Sequence, residues 1–392
     1  MKNIGIIGCG KLGLCFSLLL EKAGYRVYAS DISETYINNL NDKIINSIEP
    51  DVKKLLSRSK NIYFSTDPYE VLKKCDYIFT YVPTPSNKKG SYDLKYVNQV
   101  ISTVRKFQNN IYNKKNKNLI IGCTTNPGDC EKIQKKLIQS NIDIFYSPEF
   151  IAQGSIINDL KNADMVLLGT SKFNNQKKIN FIREIYNKIQ IVKPTFYDMS
   201  LTSSEVVKLA VNCFLTTKIS YANLVGQLLT KLNKKDEIDL VLKAIGDDSR
   251  IGNKYLKFGF GFGGPCLPRD NRALGNLSKN LGIINNLGSV VDSFNNDHLY
   301  FLKKQCLINN KKNYPFYFSY LAYKKGTDML VESHQLKLFF ELCKSSNKKI
   351  YVQENDLVIE QVKNIFSARY LKNVKFIKKK SELPRNFYEI KY

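Results

Sequence analysis

The sequence contains very little histidine: His298 and His334 are its only two in 392 residues. Neither lies within a motif, which argues against a histidine-centred catalytic triad and against a histidine-rich metal site. We therefore expect no metal centre. A general base would have to be a lysine, an aspartate, a glutamate or a water molecule.

Paired cysteines and long apolar runs are missing as well. The nine cysteines are scattered and none forms a C-x-x-C pair, which argues against a disulfide framework and a zinc ribbon. No apolar run has the length that spans a bilayer. The first residues predict a strand and a turn rather than a secretory signal. We expect a cytoplasmic protein, not bound to membranes, whose cysteines are mostly small buried hydrophobic residues.

Acidic residues are scarce relative to basic ones: 35 Asp and Glu stand against 60 Lys and Arg, for a net charge of +25. One interpretation is an anionic partner, such as nucleic acid or a phosphorylated ligand. The other is a lysine-rich solvated surface. The lysines are scattered and no nucleic-acid-binding motif accompanies them, so the second interpretation is favoured and no nucleic-acid partner is expected.

Short β-branched and aromatic segments alternate with segments of helical periodicity through the first half of the chain. This order predicts a parallel sheet with helices on both faces, in a domain at 1–195. The pattern at 196–307 is helical, with a long amphipathic run at 203–232. A second, smaller α/β domain is expected at 312–392. The predicted fold class is therefore α/β with a helical core between two α/β domains.

A glycine motif follows the first predicted strand directly and opens a helix. Gly8, Gly10 and Gly13 have the G-x-G-x-x-G spacing, and Asp31 ends the second predicted strand. In such a motif the first glycine makes a tight turn, the second admits a pyrophosphate and the third packs helix on strand. An acidic residue in the position of Asp31 accepts hydrogen bonds from the ribose hydroxyls and disfavours a 2′-phosphate. The motif predicts a dinucleotide site that prefers NAD to NADP.

A second glycine-rich segment precedes a cysteine. Four glycines fall between residues 259 and 264, followed by Pro265 and Cys266. Such a loop can offer main-chain N–H groups to a phosphate or a flat ligand. Pro268 fits the first turn of a helix, and a helix N-terminus favours the reactive thiolate. The alternative, a buried structural cysteine, leaves the glycines unexplained.

The helical run at 203–232 supplies polar residues that suit chemistry at a thiol. Lys208 and Asn212 are four residues apart and share one helix face, although alone they could be incidental. With a nicotinamide and a thiolate, an alcohol can be oxidised to an acid in two hydride transfers, through a thiohemiacetal and a thioester that water releases. The oxyanions on this route need donors such as an ammonium and an amide.

Taken together, these motifs resemble those of the UDP-glucose/GDP-mannose dehydrogenase family, over nearly the whole chain. The resemblance implies an NAD-dependent four-electron oxidation of a nucleotide sugar, most simply UDP-glucose to UDP-glucuronate for polysaccharide synthesis. A UDP-hexosamine and GDP-mannose remain alternative substrates. The resemblance also implies a Rossmann-type NAD domain, a helical dimerisation core, a C-terminal nucleotide-sugar domain and a homodimer.

The resemblance implies roles for single residues. YVPTP (81–85), GCTTNPG (122–128), SPEF (147–150), RIGNKYLKFGFGFGG (250–264) and YKKGTD (323–328) are similar to family segments. The implied catalytic residues are Cys266 as nucleophile, Lys208 and Asn212 at the oxyanion, Asp270 and Glu149 as acids and Thr124 near the nicotinamide. The implied cofactor-binding residues are Gly8, Gly10, Lys11, Leu12, Gly13, Asp31, Val82, Pro83, Thr84, Thr124 and Arg269. The implied substrate-binding residues are Glu149, Phe150, Lys208, Asn212, Arg250, Tyr255, Gly263 and Lys324.

The sequence departs from the family pattern in three places, which bear on substrate identity more than on reaction type. Arg269 replaces a lysine, Ala152 replaces an arginine and Val331 replaces a second arginine. Two rival functions stay open: a single-hydride dehydrogenase of the 6-phosphogluconate type and a non-catalytic binding protein. The setting of Cys266 argues against the first, and the retained polar residues argue against the second.

Overall fold

We describe a computed structural model of the chain that covers residues 1–87, 89–109, 115–137, 139–171 and 176–392. The chain divides into two units, Met1–Leu209 and Ala210–Tyr392. The three-domain division expected from the sequence remains a prediction. None of the helices in the described ranges combines the length and apolarity that crossing a membrane requires.

The first unit contains an eight-stranded sheet in the order β3-β2-β1-β4-β5-β6-β7-β8. Its first six strands have the order of a dinucleotide-binding fold, in which the strand order reverses between β1 and β4. The strands are β1 (Asn3–Ile7), β2 (Arg26–Ser30), β3 (Ile62–Ser65), β4 (Tyr77–Thr80), β5 (Lys117–Ile121), β6 (Ile142–Tyr146), β7 (Met165–Thr170) and β8 (Thr195–Met199). The predicted α/β class is confirmed.

Both faces of this sheet are covered, which explains why its strands read as continuous apolar runs. On β5, Ile120 belongs to one buried hydrophobic cluster, while Leu119 and Ile121 belong to a second one. The helices that begin in this unit are α1 (Lys11–Lys22), α2 (Glu34–Asn41), α3 (Val52–Arg58), α4 (Pro68–Lys74), α5 (Lys95–Gln108), α6 (Asp129–Lys136), α7 (Ile156–Lys161), α8 (Gln176–Ile189) and α9 (Leu201–Lys231).

One strand pairing differs from the wholly parallel sheet that the sequence predicts: β7 runs antiparallel to β6, with Phe145 opposite Thr170. The helix that connects them, α7, has six residues. It therefore rises only about 9 Å. A parallel crossover needs a helix that returns the chain along the whole strand, so the short α7 leaves β7 to start at the edge where β6 ends.

The second unit contains most of α9 and a four-stranded parallel sheet in the order β11-β10-β9-β12. Its strands are β9 (Phe316–Phe318), β10 (Ile350–Gln353), β11 (Val374–Ile377) and β12 (Tyr388–Glu389). Its helices are α10 (Ile238–Asp247), α11 (Leu267–Asn280), α12 (Leu287–Asn309), α13 (His334–Ser345), α14 (Asp356–Ile365) and α15 (Ala368–Leu371). Short 3₁₀ turns lie at Lys235–Glu237 and Lys380–Glu382. The sequence predicted the first three strands but not β12.

Candidate active site

The glycine motif forms the turn between β1 and α1. Gly8 has φ +91°, and a Cβ built there would lie 2.6 Å from the main-chain oxygen of Tyr81. A Cβ at Gly13 would lie 2.2 Å from the main-chain oxygen of Gly8, so helix and strand approach too closely for any side chain. A Cβ at Gly10 meets nothing within 4 Å, which leaves open space above the helix N-terminus. The turn thus has the shape that a pyrophosphate requires.

Most of the other residues predicted for the cofactor lie at the same edge of the sheet, whereas Arg269 lies in the second unit. The register of β1 places Ile7 beside Ser30 on one side and beside Thr80 on the other. Asp31 follows Ser30 directly, and its Oδ1 accepts the N–H of Ser33 at 3.2 Å. Residues 82–84 follow β4, and Thr84 is buried. Lys11 and Leu12 lie in the first turn of α1. This edge is the switch point at which ligands bind in such sheets.

Thr124 lies in the turn between β5 and α6, and a buried carboxylate organises that turn. Glu205 accepts hydrogen bonds from the hydroxyl of Thr125 at 2.7 Å, from the N–H of Gly128 at 2.7 Å and from the N–H of Cys130 at 3.0 Å. Burial raises the pKa of Glu205, although these hydrogen bonds oppose the shift. Glu205 therefore holds the N-terminal end of α6 and the turn that carries Thr124.

Glu149 follows β6 and has three polar neighbours within the first unit. The hydroxyls of Tyr186 and Tyr81 both donate to its Oε1, at 2.7 and 3.2 Å. The Lys208 ammonium donates to the main-chain oxygen of Glu149 at 2.6 Å and lies 4.3 Å from the centre of the Phe150 ring. Burial raises the pKa of Glu149 to about 7, and the two phenols and Lys208 oppose that rise. A carboxyl with this pKa can give or take a proton near neutral pH.

Cys266 stands at the N-cap of α11 in the second unit, where the sequence predicted a helix start. All nine cysteines lie in the described ranges, and Cys266 is the one that is exposed. Cys266 is therefore not a buried structural cysteine. The expectation that the other cysteines are mostly buried is confirmed, since six are buried and Cys123 and Cys343 are partly so.

One helical turn after Cys266, Asp270 is fully buried and its two oxygens have separate partners. The Asn212 amide donates to Oδ2 at 2.6 Å, and the Arg269 Nε donates to Oδ1 at 2.8 Å. The structure thus brings Asn212, Arg269 and Asp270 together within the second unit. The Asn212 amide, expected at the oxyanion, gives one of its two hydrogens to Asp270.

The glycine-rich loop is built differently from the sequence interpretation. Its N–H groups at Gly259, Gly261, Phe262 and Gly264 donate to protein acceptors, respectively the side chains of Asn223, His334 and Asn295 and the main-chain oxygen of Val331. The interpretation that these four groups serve a phosphate or a flat ligand is therefore wrong. A Cβ at Gly261 would lie 2.1 Å from the Asn295 side chain, and a Cβ at Gly263 would lie 2.5 Å from the main-chain oxygen of Glu332. The glycines let neighbouring protein segments pack against the loop.

Both histidines of the chain also hold this loop. The Nε2 of His298 lies 2.7 Å from the main-chain oxygen of Gly259, and its Nδ1 lies 2.8 Å from the Gln227 amide nitrogen. Because the amide donates to Nδ1, His298 carries its proton on Nε2. His334 accepts the N–H of Gly261 on Nδ1 at 3.2 Å. Burial lowers the pKa of His298 to about 4 and that of His334 to about 3, so both are neutral at physiological pH.

Three residues expected at the substrate lie on the surface of the second unit. Arg250 is paired with Asp248, with Nη2 and Oδ2 2.7 Å apart. Tyr255 has φ +63° and a relative exposure of 51%. Lys324 is exposed, and its main-chain oxygen accepts the Thr327 hydroxyl at 2.7 Å. Their assignment to the substrate remains a prediction.

The comparison with protein families agrees with this geometry. Residues 2–190 match the model of the UDP-glucose/GDP-mannose dehydrogenase family's NAD binding domain, and residues 202–297 match that family's central domain. The chain belongs to the UDP-glucose/GDP-mannose dehydrogenase family.

Individual relatives of this family are similar over most of the chain. The UDP-glucose 6-dehydrogenase TuaD of Bacillus subtilis is 30% identical over 72% of this chain and 60% of its own length. The UDP-glucose 6-dehydrogenase of Rickettsia conorii is 34% identical over 71% of this chain and 63% of its own length. The alignments thus span less than two thirds of these two relatives. A UDP-glucose dehydrogenase structure from Pyrobaculum islandicum has a TM-score of 0.83 at 24% identity, covering 97% of this chain and 86% of that one, which shows the shared fold.

Two of the three departures from the family pattern have a clear structural setting. Arg269 still reaches Asp270, through its Nε. Val331 is exposed, while the adjacent Glu332 accepts from Arg272 at 2.7 Å and from Lys337 at 2.5 Å. These contacts hold the pKa of Glu332 at about 2, against the effect of its burial. Ala152 donates its N–H to Asp159 at 2.8 Å, which needs no particular side chain.

Sequence reasoning missed the polar residues that support the family's site residues. Tyr81 and Tyr186 contact Glu149, Glu205 holds the Thr124 turn, and the two histidines hold the glycine loop. Glu205 lies three residues before Lys208 and directly before Val206 and Val207, and a carboxylate beside these apolar residues was the one available signal that it is buried and bonded.

Proposed function

We propose that this protein is an NAD-dependent nucleotide-sugar 6-dehydrogenase that oxidises the C6 alcohol of a nucleotide sugar to the acid. The observation that carries the proposal is the exposed Cys266 at the start of α11, one turn before the buried Asp270 that Asn212 contacts, in a chain of this family. UDP-glucose is the substrate that we propose first, because two relatives bear the name of that activity.

The residues at the sheet edge fit NAD. Gly10 leaves the space that a pyrophosphate would fill, the N–H groups of α1 point towards that space, and Asp31 suits the ribose hydroxyls. When bound, NAD accepts a hydride from the substrate carbon, once for each of two oxidation steps. Residues 2–190, which match the NAD binding domain, contain all of these groups.

Cys266 supplies the covalent step between the two oxidations. Its thiolate sulfur adds to the carbonyl carbon of the aldehyde, and the aldehyde oxygen takes a proton to give a thiohemiacetal. Loss of a second hydride from that carbon and of the hydroxyl proton leaves a thioester on Cys266. A water oxygen then bonds to the carbon, the sulfur leaves with a proton, and the acid is released.

The charged and polar residues handle protons and developing charge on this route. Lys208 and Asn212 are the donors that we assign to the oxyanions, because an ammonium and an amide donate the hydrogen bonds that an oxyanion needs. Glu149, with its pKa near 7, takes the proton of the attacking water.

A panel of nucleotide sugars with NAD tests this function. We expect NADH to form with one of them, with two NADH for each acid produced. One NADH for each product would instead indicate a single-hydride dehydrogenase of the 6-phosphogluconate type. Cys266→Ser should stop acid formation, whereas Cys343→Ser, which alters another incompletely buried thiol, should not. Full acid production by Cys266→Ser would refute the covalent route.

We further propose that the protein forms a homodimer through α9. Phe214, Tyr221 and Leu228 follow one another at intervals of seven residues on this helix, and each is more than half exposed, at 66%, 52% and 51%. This spacing places them on one face, and an exposed apolar face of this kind favours association.

The molar mass of the protein in solution tests the proposed dimer. The double variant Phe214→Glu/Leu228→Glu should be monomeric by light scattering. Ile284→Glu places the same charge at another highly exposed apolar residue, 87% exposed, and should leave the dimer intact. A wild-type monomer, or dissociation of both variants alike, would contradict the α9 interface.

A further inference from the structure

We propose that Tyr81 and Tyr186 are positioning residues that hold Glu149 by one carboxylate oxygen and leave its other oxygen to carry the proton. The proposal rests on the proposed function, in which Glu149 exchanges a proton with water. It assigns a role to Tyr186, which lies outside the quoted motifs, and to Tyr81, which opens the YVPTP segment but was given no role there.

The contacts around Glu149 are one-sided. Both phenol hydroxyls meet Oε1, at 2.7 Å from Tyr186 and 3.2 Å from Tyr81. The described residues supply no hydrogen bond to Oε2. Lys208 and the two tyrosines are the titratable groups of the first unit that act on this carboxyl. Since Lys208 bonds the main chain of Glu149, the carboxylate itself is oriented by the phenols.

A hydroxyl chain fixes the direction of these hydrogen bonds. The Tyr186 and Ser147 oxygens are 2.9 Å apart. Tyr186 has a single hydroxyl hydrogen, and it is directed to Glu149. Ser147 must therefore donate to Tyr186, which makes Tyr186 a stronger donor to Oε1. Oε1 is thus committed as an acceptor, and a proton that enters the carboxyl binds Oε2.

The two phenol rings are held rigidly enough for this purpose. Both are buried, and both pack against Phe16, with ring centres 5.5 Å from Tyr81 and 5.9 Å from Tyr186. Phe79 packs against the same two rings, at 6.4 and 6.3 Å. A Cβ at Gly122 would lie 2.2 Å from the Tyr81 ring, so only glycine leaves room for that ring. Packing among these four aromatic rings therefore fixes the two phenol hydroxyls, and the hydroxyls in turn orient Glu149.

Phenol donors stabilise the ionised form of the carboxyl, so their removal must raise the pKa of Glu149. The experiment measures the protonated-carboxyl band of Glu149 by infrared spectroscopy of the cofactor-free protein, identified by its loss in Glu149→Gln. We expect a midpoint near pH 7 in the wild type. Tyr186→Phe should raise it by about one pH unit. Tyr81→Phe, which removes the longer bond, should raise it less.

Tyr25→Phe is the matched control, because Tyr25 is a buried phenol of the same unit without a contact to Glu149. Its midpoint should equal that of the wild type. Ser147→Ala removes the donor to Tyr186 without changing either ring, and should give a small rise in the same direction. An unchanged midpoint in Tyr186→Phe and in Ser147→Ala would overturn the proposal.

The pH–rate profile of the active enzyme gives a second readout. The acidic limb should move to higher pH in Tyr186→Phe by the same amount as the infrared midpoint, with KM little changed. If no nucleotide sugar is oxidised while the infrared midpoints shift as expected, the proposed function fails and the positioning of Glu149 stands. If activity is present but the limb and the midpoint stay in place, the positioning role is wrong and the proposed function stands.

Discussion

The thiols of this chain differ from one another mainly in burial. Burial raises the pKa of Cys306 to about 11 and those of Cys15, Cys75 and Cys343 to about 12. Those sulfurs therefore remain protonated at neutral pH and react slowly with electrophiles. Cys266 is exposed and lies at the N-cap of α11, and a helix N-terminus favours the thiolate. This difference in burial separates Cys266, the proposed nucleophile, from the other eight cysteines.

Alkylation tests this difference without any substrate. Iodoacetamide at neutral pH should modify Cys266 at least about ten times faster than any other cysteine, as seen by peptide mass mapping. Cys343→Ser should leave the rate at Cys266 unchanged. Faster modification of Cys123 or Cys343 would remove the basis for choosing Cys266 as the nucleophile.

Asp31 is the single residue that we expect to set the preference for NAD over NADP. Asp31→Ala removes the carboxylate expected at the ribose hydroxyls, so the KM for NAD should rise about tenfold or more and discrimination against NADP should weaken. Steady-state kinetics with both cofactors measures the change. Asp67→Ala, at the N-cap of α4, alters a carboxylate of the same unit outside the glycine turn and serves as the control. Identical NAD kinetics in Asp31→Ala and wild type would place Asp31 away from the ribose.

At the scale of elements, the turn before α6 depends on a residue from a different helix. Glu205, on α9, is fully buried and accepts three hydrogen bonds from the segment at 125–130. A buried donor that loses its acceptor costs about 1–3 kcal/mol. The position of Thr124 is therefore tied to α9 by one carboxylate.

Glu205→Ala should lower the free energy of unfolding by about 3 kcal/mol or more, because three donors lose their acceptor in a buried site. Urea unfolding followed by circular dichroism measures it. Glu184→Ala is the control in the same unit: its pair with Lys188 is half exposed and is worth at most about 1 kcal/mol. Equal losses in the two variants would mean that the Glu205 contacts do not support the turn.

The sequence predicts those parts of the fold and site that follow from local spacing. The motif of Gly8, Gly10 and Gly13 needs only a strand, a turn and a helix, all within 20 residues, and the structure has that turn. The phenols at Glu149 come from positions 68 and 37 residues away, and no local pattern encodes such a meeting. The glycine loop falls between these cases. Its composition predicted a close approach, but the segments that approach Gly261 come from Asn295 and His334.

On the scale of the whole molecule, the change of stability with pH depends on buried groups whose pKa shifts affect stability in opposite directions. His298 and His334 have lowered pKa values, about 4 and about 3, so the unfolded chain binds their protons below about pH 6.5 while the folded chain does not. Their neutral forms therefore stabilise the fold fully above pH 6.5, and this contribution falls as the pH falls. Glu149, with a raised pKa of about 7, acts oppositely, because its folded form keeps a proton that the unfolded chain has lost. Burial of Glu205 raises its pKa and acts in the same direction as Glu149.

The histidine contribution can be isolated because the chain has only two histidines. His298→Gln keeps a donor for the main-chain oxygen of Gly259, and His334→Asn keeps an acceptor for the N–H of Gly261, but neither replacement titrates. Between pH 6 and 4.5 the double variant should lose less stability on acidification than the wild type, by up to about 2.7 kcal/mol per pH unit. Glu149→Gln should change the slope in the opposite sense. Calorimetry over this range measures the stability of each variant, and both rings lie in residues 210–392. A double variant with the slope of the wild type would mean that the glycine loop admits histidinium, and that the neutral pair does not hold it.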